Sequence, residues 1–175
     1  PIRWLKVDDG HLNLFVHPLP PVNGHSVEID SMMPATHKLV EFTPDPQRFP
    51  EGWRPVMKRA DQAGLEHCSV WLNFNGYWGG VSTQNKFGLP EDTFCFTDKE
   101  TLMPAPGGDG SHNFYDALIA AQCRAGFDLA KVDNEASNIR FYQDVVENAV
   151  EVAVQNSRAL EAACKKYGVN LLNCM

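Results

Sequence analysis

The chain has 175 residues, of which 43% are hydrophobic and 21% charged, so it is long enough to bury a core and too apolar for intrinsic disorder. Its formal charge of -7, with no run of Lys or Arg, argues against nucleic acid or an anionic membrane surface as a partner. No apolar run approaches the roughly 18 residues of a bilayer span.

All 12 prolines fall at or before Pro106, which leaves the remainder free to form uninterrupted helices and strands. The five cysteines are scattered and form no C-x-x-C pair. A disulfide framework or zinc ribbon is not expected, and a reducing cytoplasm fits best. The opening residues are not a basic segment followed by an apolar one, so no secretory leader is expected.

Residues 2–7 read as a strand, Asp8-Asp9-Gly10 as a turn, and residues 12–16 as the returning strand of an N-terminal β-hairpin. Residues 26–29 suggest a further strand. From Lys38 a repeated order appears: strand, helix, Gly, strand. Residues 38–42 are the first strand. Pro55 suits the first turn of a helix ending near Ala63, with Gly64 as its cap. Residues 68–74 are the next strand.

A long connection over 75–110 contains a strand-like piece at 93–97. Ser111 is placed to N-cap a helix over 112–125, with Gly126 as its cap. Residues 127–133 alternate as a strand, and residues 137–143 read as a strand antiparallel to it. Asp144 and Glu147 form a capping-box-like start for a helix that ends at Gly168. Residues 169–174 are apolar enough for a last strand. These elements predict one α+β domain over 1–175, with helices packed on one face of a mainly antiparallel sheet.

Three segments carry a family resemblance. The run from Ala121 to Glu135 joins a helix ending in Ala-Gly to a strand and an Asn-Glu pair. Residues 53–74 form helix, Gly and strand, and Lys166-Tyr167-Gly168-Val169 forms a helix end with the strand beyond it. Over residues 34–175 this order resembles the catalytic domain of glutamine synthetases, whose fold guanido kinases share. The resemblance implies a carbon–nitrogen ligase-type domain with a divalent Mg/Mn site and Glu135 as a metal ligand. The family's Glu-x-Glu strand falls on Trp71-Leu72-Asn73, and its Gly-Gln-x-Glu segment near Ala136-Ser137-Asn138, both without carboxylates. The implied metal site is therefore eroded. The protein would be a subunit that assembles with itself or with a fuller ligase-type partner and holds a metal only together with it. Glu135, Asn73 and Asn138 should then converge.

Two further readings come from the residues. Asn73-Phe74-Asn75-Gly76-Tyr77-Trp78-Gly79-Gly80 is rich in aromatic and amide groups. Aromatic faces stack on rings and amides fix orientation, so Trp71, Asn73, Asn75, Tyr77 and Trp78 are candidate ligand-binding residues of a self-contained small-molecule enzyme or binder. His112 and Asp116, at i and i+4, form a candidate catalytic pair in which the carboxylate tunes an imidazole base. Alternatively, the Val/Ala stripe over 145–163 could serve a structural assembly component as a packing surface.

Overall fold

The computed structural model describes residues 3–16 and 37–174. In chain order they form β1 (Trp4–Val7), β2 (Leu12–Val16), β3 (His37–Pro44), α1 (Arg54–Gln62), β4 (His67–Asn73), β5 (Val81–Ser82), β6 (Phe94–Phe96), β7 (Thr101–Pro104), α2 (Asp109–Ala125), β8 (Leu129–Asp133), α3 (Asn138–Tyr142), α4 (Ala149–Tyr167) and β9 (Asn170–Asn173). The strand expected at 26–29 lies outside the described residues.

Strands β1, β4, β8 and β9 form a four-stranded sheet in that order, and every pair is parallel. Each neighbouring pair is joined through a helix. Right-handed crossovers between sequential neighbours place those helices on one face. There Val70 and Leu72 of β4 and Ala130 and Val132 of β8 meet Ala60 of α1, Phe114, Leu118 and Ile119 of α2, and Ala159, Leu160 and Ala163 of α4. Burying each large aliphatic or aromatic side chain contributes about 1.5–3 kcal/mol. The intervening β8 residues Leu129, Lys131 and Asp133 are only half-buried and point to the opposite face.

The mainly antiparallel sheet expected from the sequence is not found. Each helix carries the chain back to the end where the preceding strand began, so the next strand runs in the same direction. Gly126 and Gly168 make these returns short: both sit in the left-handed region, at φ 102° and 65°, and close α2 and α4.

The N-terminal hairpin is also absent. β1 pairs with β4, whereas β2 pairs antiparallel with β3. The turn at Asp8–Gly10 therefore redirects the chain from one sheet to another. The second sheet has the order β2-β3-β5-β7-β6 and is mixed: β3 and β5 are parallel, and the remaining pairs antiparallel.

Residues 137–143 are not a strand. A 3-10 turn over Glu135–Ser137 leads into α3. Asn138 and Tyr142, four residues apart, are fully buried, so helical spacing prevails over the period-two pattern of Ile139 and Phe141. The N-cap of α4 is Asn148, whose side chain accepts from the Glu151 amide at 3.1 Å, not Asp144. Ser111 does not cap α2. It is buried within the first turn and donates to Asn156 Oδ1 at 2.6 Å. Among the described residues no helix is long and apolar enough to cross a membrane.

Candidate functional site

The two ends of the parallel sheet differ. Helices return to strands through short turns at Gly126 and Gly168. Strands leave for helices through long connections, which supply the second sheet after β1 and β4 and α3 after β8. Ligands of parallel α/β sheets bind at the end where strands leave, because those connections vary without disturbing the core. Asp8 and Asp9 follow β1 at this end, Asn73 closes β4 and Asp133 closes β8.

Asp133 is held on both oxygens. Oδ2 accepts from Trp71 Nε1 at 3.2 Å, and Oδ1 from the Asn134 amide at 2.8 Å. Asn134 has φ 69°, the one positive value of a non-glycine among the described residues. Asn tolerates this conformation better than most side chains.

Asp9 accepts from the Tyr77 hydroxyl and, at 3.0 Å, from Trp78 Nε1. Burial, followed by the bond to Asp9, pushes the Tyr77 phenol well above its ordinary range. It stays protonated and donates. The rings of Trp71 and Trp78 lie 5.7 Å apart, and Tyr77 meets Trp71 edge-on at 5.9 Å. Lys6 Nζ lies 2.5 Å from Asp8, and this bond is the main cause holding the Asp8 carboxyl below its usual value, with the Lys131 charge adding to it. Oriented carboxylates beside aromatic rings suit a polyhydroxylated ligand, whose hydroxyls donate and whose C–H faces stack.

Behind Asp133 runs a chain of amides. Asn75 Nδ2 donates to the Asn134 carbonyl at 3.0 Å and to Ser137 Oγ at 3.1 Å. Asn138 Nδ2 donates to Asn75 Oδ1 at 2.7 Å, and Asn156 Nδ2 to Asn138 Oδ1 at 3.1 Å. Asn75, Asn138 and Asn156 are each fully buried.

The candidate ligand residues Trp71, Asn73, Asn75, Tyr77 and Trp78 all lie at this end of the sheet. Trp78 is half-buried, and the other four are at most 2% exposed. Asn75 is committed to the amide chain. Asn73 Oδ1 accepts from the Asn75 amide at 3.0 Å, while its Nδ2 is buried with no partner. His112 and Asp116 lie elsewhere, in a cleft between α2 and α4 that Leu89 and Lys166 also line. Burial alone would raise the Asp116 carboxyl, but bonds from Lys166 at 2.7 Å and Tyr167 at 2.9 Å outweigh it and hold the group below its usual value.

Glu135 has one carboxylate oxygen buried without a partner. Burial, then the charge of Glu161, raises its carboxyl. Among the described residues no group of three or more His, Cys, Asp or Glu could hold a metal ion, and Glu135 beside one other carboxylate does not fit a hard divalent cation. Asn73 and Asn138 do come together, both bonded to Asn75. That convergence follows from β4 and β8 being parallel neighbours.

Asp133 and Asp9 are the site residues that the sequence reading passed over, one as a strand residue and the other as a turn. The available signal was an acidic residue closing an apolar strand just before a strand-to-helix connection.

No family model matches the sequence, and no curated protein does. Solved structures do. A protein of Bacillus halodurans assigned as an α-N-acetylgalactosaminidase aligns over 98% of this chain and 40% of its own, with a TM-score of 0.53 at 16% identity. The likeness is one of fold. A GH27 β-L-arabinopyranosidase of Geobacillus stearothermophilus, in complex with arabinose, aligns over 98% of this chain and 39% of its own, with a TM-score of 0.47 at 14% identity. The chain thus spans about two-fifths of the length of these proteins.

The parallel sheet and the first of these alignments overturn the glutamine synthetase resemblance. With it fall the ligase-like activity, the eroded metal site and the fuller ligase-type partner subunit. The three segments match because helix, glycine cap and strand recur wherever an α-helix returns to a sheet. The self-contained enzyme or binder and the structural assembly component gain no support from the alignments either.

Proposed function

We propose that the strand ends of the parallel sheet form part of a carbohydrate site of glycosidase type, with Asp133 as its reacting carboxylate. The observation that carries this reading is the place of Asp133. It closes an inner strand of the sheet, is oriented by Trp71 and Asn134, and shares its end with Asp9, Tyr77 and Trp78. The fold neighbour assigned as an α-N-acetylgalactosaminidase supports it.

In this reading Trp78 offers a face to the sugar ring, and Asp9, anchored by Tyr77, Trp78 and the Gly10 backbone N–H, accepts from sugar hydroxyls. Asp133 retains lone pairs toward the anomeric carbon, where it attacks as nucleophile or stabilises developing positive charge. Glycoside hydrolysis needs a second carboxyl group as proton donor. Asp9 accepts from Tyr77, Trp78 and the Gly10 N–H, and Asp8 from Lys6, so both stand as hydrogen-bond acceptors and not as that proton donor. We assign that role to strands beyond these four. β1 and β9 are the edges of the parallel sheet, and Leu172 on β9 is 53% exposed. A parallel sheet is ordinarily covered on both faces, so further strands closing it into a barrel would bring both the cover and the missing acid. The five free cysteines support a reducing, cytoplasmic location.

Saturation-transfer NMR of the full-length protein with galactose and N-acetylgalactosamine, and glucose as control, tests this reading. Transfer to the galacto sugars that disappears in Asp133→Asn and Trp78→Ala is expected. No transfer to any of the sugars, or transfer indifferent to both substitutions, would overturn it.

A further inference from the structure

The amide chain behind Asp133 has a purpose beyond filling a buried space. We infer that Asn138, acting through Asn75 and Ser137, is a positioning residue that holds Asn134 in its left-handed conformation and thereby aims the Asp133 carboxylate. This rests on the proposed role of Asp133, but the geometry behind it does not.

A non-glycine residue at φ 69° is disfavoured unless its surroundings hold it there. Asn134 is held on three sides. Its carbonyl accepts from Asn75 Nδ2 at 3.0 Å and from Ser137 Oγ at 3.1 Å. Its side-chain oxygen shares the single Ser137 hydroxyl proton with that carbonyl, and its Nδ2 donates to Asn73 Oδ1 at 3.4 Å. With the carbonyl fixed, the Asn134 amide points back at Asp133 Oδ1.

Asn75 can serve only if its own amide is oriented. That orientation comes from Asn138 Nδ2 on Asn75 Oδ1 at 2.7 Å, and Asn138 is in turn set by Asn156, whose Oδ1 accepts from Ser111. The chain thus runs from α2 and α4, through α3, to the end of β8. An apolar side chain at 138 would leave the buried amides of Asn75 and Asn156 short of partners. The partner arrangement, not the volume, is what position 138 contributes.

The indole N–H of Trp71 reports on the carboxylate, because it donates to Asp133 Oδ2. Its resonance, assigned with Trp71→Phe and calibrated with Asp133→Asn, is measured in Asn138→Ala. The Trp71 signal should shift in the direction set by Asp133→Asn while the Trp4 and Trp53 indoles stay in place. Sugar affinity should fall about tenfold. Asn134→Gly adopts positive φ without support, so Asn134→Gly combined with Asn138→Ala should return the Trp71 signal toward wild type. If Asn138→Ala does not fold, Ser137→Ala, at a half-buried position, is read in the same way. A folded variant with an unmoved Trp71 signal, or no rescue by glycine, would overturn the inference. Because the indole shift is read without sugar, it still decides the inference when no sugar binds.

Discussion

Trp71 and Asp133 meet across two neighbouring parallel strands. Trp71 is in register with Lys131 and Asn73 with Asp133, so the indole reaches two residues along β8 to donate to Oδ2 at 3.2 Å. The ring itself is 2% exposed and packs among Tyr77 and Trp78. One side chain therefore joins the reacting carboxylate of the proposed site to the aromatic wall beside Asp9.

The bond from Tyr77 to Asp9 should be measurable as stability. Tyr77→Phe keeps the ring and its packing on Trp71 and leaves Asp9 with Trp78 as its side-chain donor. Hydrogen bonds to charged groups contribute about 1.5–3 kcal/mol, so urea unfolding should show a loss of about 2 kcal/mol. A loss near zero would mean that Asp9 finds another donor.

Stability should fall in mild acid, in part through His11. Its ring is 3% exposed, and burial pushes the imidazole below its ordinary 6.5, with the Asp8 carbonyl and the Asp9 and Asp8 charges opposing. A folded value below the unfolded one means that the unfolded chain takes up the proton first. The stabilisation is complete above about pH 6.5 and is lost as the pH falls below it. Unfolding free energies from pH 7 to 5 should fall less steeply in His11→Gln than in the wild type. Equal slopes would remove His11 from the account.

Gly110 lies in the first turn of α2 where that helix meets the connection between the sheets. An added Cβ would stand 2.5 Å from the Ala105 nitrogen and 2.6 Å from the Thr93 oxygen. These two atoms bond each other at 2.8 Å. Gly110→Ala should therefore cost about 1–3 kcal/mol and lower the melting temperature, even though alanine favours helices. A neutral result would show that the β6–β7 segment yields freely.

Asp116→Ala should leave sugar binding unchanged. Asp116 ties α2 to Lys166 and Tyr167 on the outer face of the helices, away from the strand ends. A change in affinity equal to that of Asp133→Asn would place the site in the α2–α4 cleft instead.

Much of the element order could be read from the sequence because its signals are local. Gly64, Gly126 and Gly168 punctuate helix ends within a few residues of themselves, and the alternation of Ala130 and Val132 marks β8. Strand direction is not local. It follows from the helix between two strands, and the expected antiparallel sheet neglected that crossover. The 137–143 segment carried both periods, and only the burial of Asn138 and Tyr142 decides between them. The aromatic and amide stretch at 71–78 stood out by composition. Asp133 did not, because its surroundings come from Trp71, 62 positions away.

The second sheet is shared property. β2 and β3 belong to the connection after β1, while β5, β6 and β7 belong to the connection after β4, and the two meet where Leu39 pairs with Val81. Neither connection can be lengthened, shortened or exchanged alone without stranding the other's edge. Variation in what the rim recognises should therefore arrive as paired changes in both segments, with the parallel strands beneath left untouched.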